Sequence, residues 1–358
     1  MDKKFLKKIA EQKDSIQKFK YNKEGIEVVP EILKECKLLQ EINLEENYIY
    51  EIPDWLFELP NLKVLKLAFN DMEDLPASLA NAKKLEVLSI DSPMKNPLPK
   101  AIASLKNLKV LEINEKINGF PNDFFELPEL EELTLISPLI KNLPDEISKL
   151  PKLKSLSLFQ PWFVKESVDV KFEELIDTLS RCLALESLDL SNSGMKKIPK
   201  SINKLKSLKV LKLNSNGIKE LPEELFELTE LRILDLGINQ IKSIPEAIKK
   251  FGKLRELLLN SNFSAPINVE NLFNSIPDLP HLQKLHLWSC QTKMEIPENI
   301  NEWKSLKDLD LDNNLIKSLP ESIKEMTWLK RLRISTNQIP KAELDEIVKA
   351  LKGTKVYI

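Results

Sequence analysis

The chain of 358 residues is poor in the residues that metal and nucleophilic chemistry draws on, with two histidines and three cysteines. His281 and His286 lie five apart with no cysteine beside them, which makes no zinc site. No cysteine cluster stands at either end, so the disulfide-stapled ends common outside the cell are excluded. An excess of charge is missing too. Fifty-three Lys+Arg meet 55 Asp+Glu, and at a net charge of −2 bulk electrostatics draws the chain to neither nucleic acid nor anionic lipid. No apolar run approaches the ~18 residues of a membrane span, and the opening MDKKFLKKIAEQKDSIQKFK has no apolar run of signal-peptide length. The motifs G-x-x-x-x-G-K, G-x-G-x-x-G, G-x-S-x-G, H-E-x-x-H and C-x-x-C are all absent, and the aspartates are dispersed. These absences predict a cytoplasmic, reduced chain that is no enzyme and needs no cofactor. With only 7 glycines, its turns must be built from other residues.

What the chain has instead is a period. The spacing L-x-x-L-x-L occurs fourteen times, mostly 23 residues apart, starting at Ile16, Leu39, Leu62, Leu85, Leu108, Leu130, Leu153, Leu185, Leu208, Leu231, Leu254, Leu282, Leu306 and Leu329. In the unit beginning at Leu208, Leu211 and Leu213 alternate with Lys212 and Asn214, which predicts a short strand with its leucines inward. The ninth position is Asn in seven units: Asn47, Asn70, Asn216, Asn239, Asn262, Asn314 and Asn337. An amide there can bond backbone groups of its own turn and of the next, as a ladder. An Ile/Leu-Pro step then follows, as at Leu221-Pro222, and recurs to account for eleven of the 22 prolines. Proline suits the first position of a helix, so each unit is expected to pair one strand with one short helix. Cys36 and Cys182 fall where a core leucine otherwise stands and Cys290 takes a ninth position, so all three are expected to be buried thiols.

The consensus L-x-x-L-x-L-x-x-N-x-I-x-x-[IL]-P-x-x-[IL]-x-x-L resembles the 23-residue leucine-rich repeat family, whose members include plant intracellular Ras-group proteins, the Ras-pathway scaffold and many bacterial proteins. The resemblance covers about nine-tenths of the chain. It implies an α/β solenoid, a right-handed horseshoe with a parallel concave sheet, short convex helices and a helical cap at each end. It also implies binding of proteins, often in signalling, rather than catalysis. Residues 1–15 are read as an N-terminal capping helix, its amphipathic pattern of Phe5, Leu6, Ile9, Ile16 and Phe19 running on to residue 20. Residues 16–340 are read as the repeats. Residues 341–358 are read as a C-terminal cap of helix, Gly353 turn and final strand, with Leu344, Ile347, Val348 and Leu351 as its apolar stripe. Capped at both ends, the chain is expected to be a complete protein and a monomer.

The breaks in the pattern carry the functional reading. Position nine reads Pro93, Lys116, Pro138, Pro161 and Ser193 in the middle of the chain. The unit from Leu153 is 32 residues long, with Phe172, Leu175, Ile176 and Leu179 at helical spacing. The unit from Leu254 is 28 long. Outward position five holds four basic and four acidic residues, so it forms no basic stripe for a phosphate backbone. Positions seven and eight hold anomalies. Ile136 and Phe159 sit on neighbouring strands, with Trp162 and Phe163 just beyond; Leu258, His286 and Trp288 do the same, with Ile238 and Phe263 beside them. Exposed aromatic residues suit interface anchors, so both patches are candidate protein-binding sites. The alternative is that the insertions cover them. His286 is read as a hydrogen-bonder at the edge of its patch. Near the end, Asp308, Asp310 and Asp312 on one strand face Lys330, Arg331 and Arg333 on the next, an arrangement that stabilises a sheet weakly.

These features together predict a non-enzymatic protein-interaction module, a cytoplasmic scaffold or regulator in signalling. Two alternatives stay open. One is a bacterial effector or adhesin exported without a standard signal; the other is a GTPase-activating helper.

Overall fold

The computed structural model describes residues 3–92, 98–114, 120–136, 143–159, 170–262, 267–291 and 294–358. It divides into two compact units, Met1–Asp169 with Arg181–Leu185, and Val170–Ser180 with Glu186–Ile358. In the first unit the strands are Lys18–Lys20, Glu41–Asn43, Val64–Lys66, Val87–Asp91, Val110–Asn114, Glu132–Ile136 and Ser155–Phe159 (β1–β7). In the second they are Ser187–Asp189, Val210–Lys212, Ile233–Asp235, Glu256–Leu258, Lys284–His286, Asp308–Asp310, Arg331–Arg333 and Lys355–Tyr357 (β8–β15). Within each unit every strand pairs in parallel with its neighbours in chain order. The register is one period per rung: Leu188 faces Leu211, which faces Leu234, which faces Leu257.

That register puts the triplet side chains on one side of the sheet. Leu208, Leu211 and Leu213 are wholly buried while Lys212 between them is not, as a period of two requires. A fully buried leucine contributes on the order of 1.5–3 kcal/mol. Twelve of the fourteen triplets are buried throughout, all but those from Ile16 and Leu153, and together they outweigh the weak propensity of such short strands.

The second half of each repeat is tighter than the sequence predicts. Most are five-residue 3-10 turns, such as Glu223–Glu227 and Glu246–Lys250, rather than α-helix. The prolines do not open these turns from within. Each stands one residue ahead in extended backbone, as Pro222 does at φ −71° and ψ 151°. Its carbonyl accepts the bond that closes the turn, from the Leu225 amide at 3.1 Å. The same bond closes on Pro53, Pro144, Pro245 and Pro320.

Among the described residues four α-helices interrupt this scheme: Lys3–Gln12, Phe172–Leu179, Glu270–Ser275 and Lys341–Ala350 (α1–α4). α2 is the helix expected in the first insertion, and it buries Leu175, Ile176 and Leu179. α3 lies in the second insertion, where no helix is legible in the sequence. α1 is shorter than its pattern. It stops at Gln12, and Phe19 is instead buried in β1, because pairing with β2 demands extended backbone there. On α4, Ile347 and Leu351 are buried but Val348 is exposed, so its apolar stripe is narrower than expected. The turn at Gly353 and the strand β15 follow as the sequence predicts.

Candidate protein-binding face

Each repeat must leave its strand by a sharp turn, and one residue makes it. Position eight takes left-handed backbone in ten repeats, at Lys23, Glu46, Phe69, Asn192, Ser215, Ile238, Ser261, Ser289, Asn313 and Thr336. None of these is glycine. Left-handed backbone costs a residue with a Cβ roughly 1–2 kcal/mol, least for Asn and most for a β-branched side chain. Ile238, at φ 52°, and Thr336, at φ 54°, are the two β-branched residues of the set and therefore its most strained.

The residue that follows holds the turn in place. Asn262 donates from Nδ2 to the carbonyls of Leu259, in its own repeat, and of Leu236, in the one before, at 2.7 and 3.1 Å. Its Oδ1 accepts from the Ile241 amide at 3.0 Å. Asn47, Asn70, Asn216, Asn239, Asn314 and Asn337 make equivalent sets of bonds. The ladder holds the strand ends rigid, so the side chains at positions five to eight stand on a fixed frame.

Of the two groups of expected contact residues, the one in the second unit stands beside this frame; the one in the first unit lies on repeats whose ninth positions are Pro138 and Pro161. In the first unit, Ile136 is paired in register with Phe159 and is half-buried. Trp162 and Phe163 lie outside the described residues. In the second unit, Leu258 is registered with His286, and both are half-buried. Trp288, two residues further along, keeps 37% of its surface exposed, and Ile238 keeps 46%. The Ile238 amide donates to the Asn260 carbonyl at 2.7 Å, and the Ser261 amide to the Trp288 carbonyl at 2.9 Å. Ile238 and Trp288 thus flank one intervening rung. Gly237 leaves room on that rung for the Asn260 side chain, since a Cβ there would sit 2.9 Å from its amide atoms. Phe263 lies outside the described residues.

Beside this group the sheet face turns polar. Asp308 binds Arg331 at 2.6 Å and Arg333 at 3.1 Å, and Arg333 reaches Asp310 at 3.5 Å. Asp312 takes no part in that pairing and instead accepts from the Ser335 amide at 2.7 Å. Lys330, expected among the partners, is exposed one residue ahead of that strand and binds none of the three. The Nε2 of His286 is buried without a hydrogen bond and stands 3.7 Å from Asp308. Burial pushes the His286 imidazole down from its ordinary value, more than Asp308 and Asp310 raise it. Burial also raises the Asp310 carboxyl.

One exposed apolar group lies outside both expected patches, and of its members the sequence reading singles out Phe69 alone, as an anomaly at position eight. Val28, Tyr48, Tyr50 and Phe69 are all more than half exposed, on the first repeats. Tyr48 and Tyr50 occupy positions ten and twelve, where Asp71 and Glu73 stand one repeat later, and that contrast is the signal that could have found them. Among the described residues, no three His, Cys, Asp or Glu side chains come together as a metal site requires. No described helix is long and apolar enough to cross a membrane.

A profile described as a leucine-rich repeat region matches residues 173–272, and one described as leucine rich repeat matches residues 37–93 and 280–339. The chain belongs to the leucine-rich repeat family. No curated protein matches it. Among solved structures, a leucine-rich repeat protein of Leptospira interrogans is 24% identical, with a TM-score of 0.65, over 99% of this chain and 98% of that one. An internalin, InlF, of Listeria monocytogenes is 19% identical with a TM-score of 0.57, over 99% and 92%. The plant peptide hormone receptor RGFR1, solved in complex with RGF2, is 22% identical with a TM-score of 0.55, over 91% of this chain and 52% of the receptor. At these identities the likeness is one of fold, and leucine-rich repeat proteins as a family bind other proteins.

Proposed function

We propose that this leucine-rich repeat chain is a non-enzymatic protein-binding module, acting as a cytoplasmic scaffold or regulator, and that it engages its partner through the open face of its sheet. The carrying observation is Ile238. A β-branched, half-exposed side chain stands there on left-handed backbone, at a position that neighbouring repeats fill with Ser or Asn at less strain. Folding gains little from it, and an interface anchor gains a fixed apolar contact. Trp288, two rungs along, and Leu258, on the rung between, are the matching residues; Ile136 and Phe159, with Trp162 and Phe163, form the second group. Three separate buried thiols support a reducing compartment. The test is affinity capture from native lysate with the immobilised full chain, beside the same chain carrying Trp288→Ala and Leu258→Asn. A partner retained by the first and lost by the second is the expected result, and identical captured sets would contradict it.

A further inference from the structure

The sheet has an edge, at the start of its strands, that position five does not report. Position two of each repeat lies there, and its side chains follow a different rule in each unit. In the first unit they neutralise one another: Glu86 binds Lys63 at 3.0 Å and Lys109 at 2.7 Å, and Glu131 binds Lys154 at 2.8 Å. In the second unit one such pair occurs, Lys209 with Glu186 at 2.5 Å. Thereafter the same position reads Arg232, Arg255, Gln283, Lys307 and Lys330.

No carboxylate among the described residues comes within 4.0 Å of these four cations, because the acids nearby are already taken. Glu230 binds Lys253 at 2.6 Å, Glu256 binds Lys284 at 2.6 Å, and Asp308 holds Arg331 and Arg333. The backbone spaces the strip regularly. Each carbonyl at position two accepts from the position-two amide of the next repeat, at 2.8 Å from Arg232 through Lys330. Four rungs of ~4.8 Å give a span of ~19 Å, the length of about six extended residues.

We propose that this strip binds an extended acidic segment of a partner protein, with carboxylates at alternate positions meeting Arg232, Arg255, Lys307 and Lys330. A single-stranded nucleic acid fits it less well. The strip is one side chain wide, and the aromatic ring beside it, Trp328, has its face covered by Lys304 at 4.0 Å, which leaves no stacking platform for a base. The inference rests on the protein-binding reading but not on Ile238 or Trp288.

The experiment is a fluorescence-anisotropy titration of the full chain with labelled octaglutamate, at low and at physiological salt. Replacing all four strip cations with Ser (R232S, R255S, K307S, K330S) is expected to weaken binding at least about tenfold. A charge-matched control in the first unit (K18S, K63S, K109S, K154S) should change it less than about twofold. If the fourfold variant melts early, the R232S/R255S and K307S/K330S pairs replace it. Equal losses in the two variants, no binding of octaglutamate at low salt, or tighter binding of octauridylate through the same four residues would each overturn the proposal. Ile238→Asn and Trp288→Ala leave octaglutamate binding unchanged, so failure of the apolar face and failure of the strip read out separately.

Discussion

The Cys290 thiol donates to the Leu259 carbonyl at 3.3 Å, the same type of carbonyl that Asn314 reaches on Leu287 one repeat later. A single weak donor thus stands where seven other repeats use an amide that bonds two turns. Cys290→Asn should complete the ladder and raise stability by ~0.5–1.5 kcal/mol, the net value of an added buried hydrogen bond. The urea midpoint should rise with its slope unchanged. A fall in midpoint would mean that this turn differs in shape from its neighbours.

Burial pushes the Cys182 and Cys290 thiols up to about 11. The folded state therefore holds these protons more tightly than the unfolded chain, whose thiols titrate near ~8.5. The sign follows directly: the stability they contribute is complete below that value and is lost as pH rises through about 11. A denaturation series between neutral and alkaline pH should show the decline, and the Cys182→Ala, Cys290→Asn double variant should flatten it. An equally steep decline in that variant would assign the loss to other groups. At neutral pH the same burial predicts slow labelling of both thiols in the native protein.

Leu211 and Lys212 test the register. Leu211→Ala removes a wholly buried side chain and should cost ~2–5 kcal/mol. Lys212→Ala changes an outward residue whose nearest acid, Asp189, is 3.5 Å away, and should stay within ~0.5 kcal/mol. Similar denaturation midpoints for the two variants would contradict the strand assignment.

These elements were legible because their causes are local and repeated. The triplets at Leu208, Leu231 and Leu254 fix strand, face and spacing with no tertiary information, and the ninth-position asparagines mark where each strand ends. α2 was legible from Phe172 to Leu179 because four apolar residues recur at helical spacing. α3 was not, since the six residues Glu270–Ser275 are too few to display a period. The partners of Asp308 were half legible: Arg331 and Arg333 share one face of their strand while Lys330 stands just ahead of it, a distinction that adjacency in sequence hides. The left-handed backbone at position eight left only a faint trace, an excess of Ser and Asn, so the strain at Ile238 emerged from the structure alone.

Ile238→Asn should separate stability from binding. Relief of left-handed strain in a β-branched residue predicts a gain on the order of 1 kcal/mol, read from the urea midpoint. Loss of the half-exposed apolar side chain predicts weaker partner binding. Lower stability together with unchanged binding would make Ile238 a packing residue.

The most direct test of the central claim is an equilibrium titration of the captured partner against wild type, Trp288→Ala and Phe159→Ala, with Asn43→Ala and Ser89→Ala as controls on the same sheet face. Truncating an interface anchor costs about 2 kcal/mol or more, so at least one of the first pair should raise Kd ~30-fold. The controls should stay within about twofold. If Trp288→Ala and Phe159→Ala bind like wild type while substitutions on the turn side, at Glu223 or Glu246, abolish binding, then the open sheet face is not the site.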